Sequence, residues 1–146
     1  MIMYIATDHT GVKVKEEVKA YLQSNGIEVK ELGIENNATD DYTDFAFELG
    51  KLVVQNNALG ILICGNGIGM SIAANKVKGV RAARVCSVDD ACKAKNHNGA
   101  NVITFGANLD FELIKEIIDS FIGTKAPDEE RHLRRISKIE QYELGN

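Results

Sequence analysis

The chain has 146 residues, of which 45% are hydrophobic and 26% are charged, as in an ordinary globular protein. This length fits one domain that buries a full core without disulfide bonds or metal. The formal net charge of −4 argues against nonspecific nucleic-acid binding, so any anion site must come from a local cluster of basic residues.

The amino-terminal run at residues 1–6 is apolar but much shorter than a membrane span, and it lacks the basic start and cleavage site of a signal peptide. The three cysteines, Cys64, Cys86 and Cys92, are an odd number without metal-ligand spacing. They predict free thiols in a reducing compartment, with Cys86 and Cys92 as small residues of the core. We therefore expect a cytoplasmic protein that does not associate with membranes.

Short apolar runs alternate with amphipathic segments along most of the chain. The apolar runs predict β-strands at residues 2–6, 28–32, 60–64, 81–86 and 101–105. The amphipathic segments predict helices at residues 12–24, 42–56, 70–76, 87–95 and 111–122. This alternation implies right-handed crossovers and a parallel sheet with helices on both faces. We predict an α/β fold, a three-layer Rossmann-like sandwich with a five-stranded parallel sheet.

A break in composition at Pro127 and Asp128 separates one more helix from this pattern. We predict that helix at about 129–143, with Asp128 as its N-cap and with one apolar stripe formed by Leu133, Ile136, Ile139 and Tyr142. Packing on its own domain would give the same stripe as docking of a second subunit. We expect a single domain, 1–146, with a core at 1–123 and a C-terminal helix at 128–145 used for dimerisation.

Ligands of open parallel sheets bind beyond the carboxyl ends of the strands. Three polar segments are candidates: residues 7–11, the glycine-rich loop 64–69, and residues 96–99 before the fifth strand. We expect His9 and His97 to lie in polar loops at the same edge of the sheet as Cys64. A lone histidine is usually structural, but its ordinary pKa suits proton transfer near neutrality.

The glycine-rich loop exposes backbone N–H groups that can approach an anion closely. A dinucleotide site is an alternative, but the loop follows the third strand and its spacing is Gly-x-Gly-x-Gly. A second alternative is that the glycines only form a tight turn between a strand and a helix and have no function in binding. Cys64 favours catalysis, because a thiolate at a helix N-terminus is stabilised by the helix dipole and the loop N–H groups.

The last predicted helix carries Arg131 and Arg135, four residues apart on one face. Two guanidinium groups in this arrangement can hold one phosphate. A solvated basic face that pairs with Glu129, Glu130 and Glu140 is the alternative interpretation of the same residues.

Taken together, these motifs resemble those of the type B ribose-5-phosphate isomerases and their galactose-6-phosphate and allose-6-phosphate relatives. The resemblance covers the whole chain in order. Its matching residues are Asp8-His9 with Gly11, the segment 60–84 (GILICGNGIGMSIAANKVKGVRAAR), the segment 97–106 (HNGANVITFG), and Arg131-His132-x-Arg134-Arg135.

The resemblance implies an aldose–ketose isomerase that forms a cis-enediolate without metal or organic cofactor. Cys64 would be the base that moves the proton between carbons 2 and 1, and His97 would open the sugar ring. N–H groups of Gly65, Asn66, Gly67, Ile68 and Gly69 would stabilise the enediolate oxygens. Sugar hydroxyls would meet Asp8, Tyr42, Asn98 and Asn108. The phosphate would bind His9, Arg131 and Arg135, with the two arginines reaching across the interface of a homodimer, which can associate further into a tetramer.

Three positions depart from the family pattern. Asn66 stands where threonine is common, Gly99 where the motif usually has aspartate, and Thr43 where proline is common. We expect D-ribose 5-phosphate as the substrate, since Cys64, His97 and the arginines are retained. The alternatives are a six-carbon sugar phosphate, such as allose 6-phosphate or galactose 6-phosphate, and a non-catalytic module that only binds sugar phosphates.

Overall fold

Five parallel strands form one sheet in the computed structural model, which describes residues 1–33 and 36–145. The strands are β1 (Ile2–Thr7), β2 (Glu28–Glu31), β3 (Leu59–Cys64), β4 (Ala82–Arg84) and β5 (Val102–Gly106). The helices are α1 (Val12–Ser24), α2 (Tyr42–Gln55), α3 (Ile68–Ala74), α4 (Val88–Asn98), α5 (Phe111–Gly123) and α6 (Glu130–Glu143). A short 3-10 turn, His9–Gly11, links β1 to α1.

The strand order is β2-β1-β3-β5-β4, and every pairing is parallel. The predicted three-layer α/β fold with a five-stranded parallel sheet is therefore confirmed. The chain passes from β1 outward to β2 and then returns across β1 to β3, so the strand order reverses between β1 and β3. A ligand of such a sheet is expected at the carboxyl ends of these two strands.

Side chains of the central strands alternate between two apolar cores, because successive residues of a strand point to opposite faces. Met3 and Ile5 pack with α1, α4 and α5, whereas Tyr4 and Ala6 pack with α2 and α3. Cys64 belongs to the second of these cores. The central strands β1, β3 and β5 are apolar along almost their whole length because both faces of the sheet are covered there, whereas the edge strand β2 carries Glu28, Lys30 and Glu31.

Several predicted boundaries differ from the observed ones. Strand β4 is only three residues long, α3 begins two residues earlier than predicted, and α4 continues through Asn98. Asp128 is not the N-cap of α6, because its carboxylate pairs with Lys125 at 2.8 Å and Glu129 occupies the cap position.

Cys86 is exposed and Cys92 is partly buried, so the prediction that both are core residues is wrong. Cys86 follows β4 at the carboxyl edge of the sheet, where the chain has left the core and the backbone N–H of Cys86 donates to Asp90 at 3.0 Å. Among the described residues, none of the helices is long and apolar enough to cross a membrane.

Candidate active site

Cys64 is the last residue of β3 and is 5% exposed, with its thiol facing the start of α3. The backbone N–H of Gly67 donates to the Cys64 Sγ atom across 3.1 Å. A negatively charged sulfur accepts such a bond more strongly than a neutral thiol does. The bond therefore holds the sulfur of Cys64 at the start of α3.

The glycine-rich loop is fixed from both sides. Gly67 has φ +81°, and a Cβ atom there would lie 2.8 Å from the Cα of Phe105, so only glycine fits without strain. Thr104 Oγ1 donates to the carbonyl of Gly67 at 2.7 Å. On the outer side, Arg84 Nε donates to the carbonyl of Asn66 at 2.8 Å. These bonds turn the carbonyl groups toward the protein.

Two N–H groups of this loop already have partners, since Gly67 donates to Cys64 and Ile68 donates to Asn66 Oδ1 at 2.9 Å. The Asn66 side chain thus caps the start of α3, a role that threonine in this position would fill with a hydroxyl group. Within the described residues, the N–H groups of Gly65, Asn66 and Gly69 have no such partner. These three are the donors that the loop can offer to an anionic ligand.

Three predicted ligand-binding residues surround Cys64 and its loop. The backbone N–H of Asp8 donates to Ile63 of β3 at 3.3 Å, and the buried Asp8 carboxylate accepts from Thr10. Tyr42, at the start of α2, packs directly on Gly69, where a Cβ would lie 2.5 Å from its ring. Asn108 follows β5, and its Oδ1 would be 2.4 Å from a Cβ on Gly106.

His9 completes this group at the carboxyl end of β1. Its Nδ1 lies 2.7 Å from Asp40 Oδ1, and its ring is 39% exposed. The hydrogen bond to Asp40, helped by the charges of Asp40 and Asp8, raises the pKa of His9 above its ordinary value despite partial desolvation. His9 is therefore more readily cationic than a free histidine, which suits phosphate binding.

A second cluster of predicted site residues lies where α4 and α6 meet. His97 and His132 stack with ring centroids 4.3 Å apart, and Arg131 Nε lies 3.4 Å from His132 Nε2. Burial, together with the charges of His97 and Arg131, holds the pKa of His132 below its ordinary value. Arg135 is exposed on the same helix.

A pocket of about 380 Å³ lies next to this cluster. Its lining includes Asn98, Arg81, Ile139 and Glu143. Gly99, at φ +58°, is the left-handed residue that ends α4, which explains a glycine where the family pattern has aspartate. His97 is oriented by its stacking on His132.

We predicted that His97 lies in a polar loop at the same edge of the sheet as Cys64. Within one chain this prediction is wrong. His97 is in the last turn of α4, just before β5 begins, whereas Cys64 pairs with Gly106 where β5 ends. Four residues at about 3.3 Å each place these two edges roughly 13 Å apart. The chain thus brings together Asp8, His9, Tyr42, Cys64, the 65–69 loop and Asn108, but not His97, Asn98, Arg131 or Arg135.

Three residues that support the site were not among the predicted site residues: Asp40, Arg84 and Thr104. Arg84 and Thr104 lie within the predicted strands 81–86 and 101–105, and their position near the carboxyl ends of these strands was the available signal. Asp40 carried no comparable signal, because its contact with His9 spans 31 residues of sequence.

Comparison with known proteins places this arrangement in one family. Residues 3–139 match the family described as Ribose/Galactose Isomerase. A relative from Mycoplasma genitalium, named "Probable ribose-5-phosphate isomerase B", is 46% identical, with 97% of this chain and 95% of the relative covered.

Solved structures agree with this match. The ribose-5-phosphate isomerase B of Mycoplasma genitalium, solved with ribulose-5-phosphate bound, superposes with a TM-score of 0.94 at 40% identity over 99% of this chain and 97% of the other. The type B ribose 5-phosphate isomerase of Trypanosoma cruzi superposes with a TM-score of 0.93 at 37% identity over 100% of both chains. The chain therefore belongs to the ribose/galactose isomerase family.

Proposed function

We propose that this protein is an aldose–ketose isomerase that interconverts D-ribose 5-phosphate and D-ribulose 5-phosphate, a step of the pentose phosphate pathway. The observation that carries the proposal is the contact between Cys64 Sγ and the Gly67 N–H, at the point where the strand order reverses. It combines a base that can reach a substrate carbon with a loop of N–H donors. A relative solved with ribulose-5-phosphate bound supports the choice of sugar.

The reaction moves one proton between neighbouring carbons. In the open-chain aldose, the Cys64 thiolate removes the proton from carbon 2, and the electron pair forms the carbon–carbon double bond of a cis-enediolate. The carbonyl oxygen on carbon 1 becomes negative and accepts hydrogen bonds from the free N–H groups of the 65–69 loop. The hydroxyl proton passes from oxygen 2 to oxygen 1, and Cys64 returns its proton to carbon 1. Nothing is oxidised or reduced overall, so no electron carrier takes part.

We further propose that a second copy of the chain completes the site in a homodimer. His97, which would protonate the ring oxygen, lies before β5, whereas Cys64 of the same chain pairs with Gly106 where β5 ends. His132 of α6 stacks on His97, so the phosphate-binding Arg131 and Arg135 of that helix belong to the His97 side. In a symmetric dimer, the cluster around His97 of one copy can face Cys64 of the other copy. The two-fold symmetry then gives two equivalent shared sites in each dimer. The exposed apolar residues of α6, Leu133, Ile139 and Tyr142, would contribute to the interface.

The substrate is tested by measuring ketose formation from ribose 5-phosphate, allose 6-phosphate and galactose 6-phosphate with a metal chelator present. We expect turnover of ribose 5-phosphate at the highest kcat/KM. A higher kcat/KM for a six-carbon sugar would keep the mechanism but change the substrate. No turnover of any of the three would favour a module that only binds sugar phosphates.

Subunit complementation tests the shared site. Cys64→Ala and His97→Gln should each be inactive alone, but their co-expression should restore about a quarter of the activity, because half of the dimers are mixed and each carries one intact site. If both groups came from one chain, mixing would restore nothing.

The free thiols of Cys64 and Cys86 fit the reducing cytoplasm, where we place the enzyme.

A further inference from the structure

Asp40, in the loop before α2, is tied to His9 by two hydrogen bonds to one oxygen. Its Oδ1 accepts from the backbone N–H of His9 at 3.1 Å and lies 2.7 Å from the ring Nδ1. An ionised carboxylate can only accept, so the Nδ1 atom must carry the proton. The ring is thereby fixed in one orientation, with Nε2 on the side away from Asp40.

The second carboxylate oxygen of Asp40 is held as firmly as the first. Oδ2 accepts from Asn36 Nδ2 at 2.9 Å and from the N–H of Asn37 at 3.3 Å, and Asn36 Nδ2 also donates to the carbonyl of Thr7. The Asp40 side chain is only 8% exposed, so this network is largely shielded from water. The loop therefore anchors Asp40 to the end of β1, next to the residue that it orients.

The ionisation of the pair follows from these contacts. Burial pushes the pKa of Asp40 upward, but the hydrogen bonds from His9, Asn36 and Asn37 outweigh burial and leave that pKa below its ordinary value. Asp40 is thus a carboxylate throughout the neutral range. Asp8 is the other acid that favours a charged His9, and its oxygen Oδ1 is occupied by Thr10. Potential ligand atoms of Asp8, His9 and Asp40 lie within 4.8 Å of one another, and the 2.7 Å hydrogen bond joins His9 Nδ1 to Asp40 Oδ1 within this group.

We propose that Asp40 is a positioning residue that aims the Nε2–H of His9 at the phosphate of the substrate. The inference rests on the proposed function, because His9 is the phosphate ligand there. Without Asp40, the ring can rotate and can present an unprotonated nitrogen, which repels a phosphate oxygen instead of donating to it. Asp40 therefore acts on substrate affinity through His9, and it has no role in proton transfer at carbon.

The first test needs no turnover. The Cε1 proton of His9 is followed by NMR against pH in the full-length protein and in Asp40→Asn, with Asp119→Asn as the matched control. Asp119 also accepts a short hydrogen bond, from Tyr21 at 2.6 Å, but it lies on α5 and does not contact His9. We expect the titration midpoint of His9 to fall in Asp40→Asn and to stay in place in Asp119→Asn. An unchanged midpoint in Asp40→Asn would overturn the proposal.

The second test separates positioning from a general structural defect. For ribose 5-phosphate, we expect Asp40→Asn to raise KM about tenfold at pH 8 with kcat within about twofold, since a charge-assisted hydrogen bond is lost. The KM ratio of variant to wild type should shrink toward one as the pH falls and His9 becomes protonated without help. Arg131 and Arg135 of the second copy would also face His9 and oppose its protonation, equally in both proteins. A ratio that does not vary with pH would contradict the proposal.

Two further measurements keep the outcome clear. If wild-type protein does not turn over ribose 5-phosphate, binding of inorganic phosphate replaces KM, so failure of the proposed function does not affect the test of Asp40. If Asp40→Asn does not fold, Asn36→Ala loosens Asp40 without touching His9, and the same direction of shift is expected. His9→Gln should weaken phosphate binding as Asp40→Asn does. Unchanged phosphate binding in His9→Gln would also overturn the inference.

Discussion

The Sγ atom of Cys64 accepts a hydrogen bond from the backbone N–H of Gly67 at 3.1 Å, and this bond links the end of β3 to the start of α3. The contact depends on the left-handed conformation of Gly67, which turns the loop back over the strand. Its donor belongs to the backbone and so cannot be removed by changing a side chain. Under the proposed function, this backbone bond holds the atom that acts as the base.

Replacing the sulfur should therefore abolish chemistry and leave the fold intact. We predict that Cys64→Ala lowers kcat about a thousandfold, the range that a positioned base contributes. Its free energy of unfolding should change by about 1 kcal/mol, because only one buried atom is lost. Ketose formation and urea unfolding measure the two effects. Cys86→Ala, which changes an exposed thiol at the same edge, is the control and should behave as wild type. Cys64→Ala with near-normal kcat would exclude Cys64 as the base.

The two glycines on either side of Asn66 should respond differently to alanine. At Gly67, an added Cβ would lie 2.8 Å from the backbone of Phe105, and φ is +81°. We predict that Gly67→Ala lowers the free energy of unfolding by about 3 kcal/mol, from strain and overpacking together. At Gly65 an added Cβ meets nothing within 4 Å, so Gly65→Ala should change stability by less than about 0.5 kcal/mol. Equal urea midpoints for the two variants would contradict this account of the loop.

A partly buried ion network joins α1 to the end of β2 and should make stability depend on pH. Glu31 contacts Lys19 at 2.8 Å and Lys15 at 3.4 Å, and the Lys15 side chain is only 3% exposed. The hydrogen bond from Lys19 and the charges of both lysines hold the pKa of Glu31 below its ordinary value of 4.5. The carboxylate thus stabilises the fold above that value, and its contribution disappears as the pH falls through the lowered pKa.

Glu31→Gln should lower the free energy of unfolding by about 3 kcal/mol at neutral pH, because it leaves the buried Lys15 with only the more distant, exposed Glu16, at 4.0 Å, as a counterion. The difference from wild type should narrow in unfolding experiments below pH 4.5. Lys15→Met is the matched variant, since it removes the buried charge and leaves Glu31 paired with Lys19, and we expect a loss below about 1.5 kcal/mol. A larger loss for Lys15→Met than for Glu31→Gln would refute the argument.

The sequence predicted the elements that carry a strong local pattern. Apolar runs such as β3 and the amphipathic α5 were placed within one or two residues, because burial on both faces or on one face leaves a clear periodicity. The glycine-rich loop after β3 was also predicted, since left-handed and close-packed positions demand glycine. Short β4 was predicted too long, because Val85 is buried after the ladder has ended.

From the strand pattern, the candidate site was predicted correctly where its residues follow the ends of β1 and β3. In a parallel sheet these ends share one edge, so Asp8, His9 and Cys64 had to come together once the strands were known. Tyr42 and Asn108 were expected from the family resemblance alone. His97 was misplaced because α4 continues three residues past the predicted helix end, and the residues just before β5 lie at the other edge of the sheet.

The sequence by itself thus determined the α/β fold, the family resemblance and the cysteine at the switch point, all of which follow from local periodicity or from residues adjacent in the chain. Only the tertiary structure decided that Asp40 holds His9 and that His97 and His132 stack far from Cys64 along the sheet. The contact between Asp40 and His9 joins residues 31 positions apart, and the His97–His132 stack depends on how α6 packs against α4. No local pattern encodes such contacts, because they arise only when whole elements pack together.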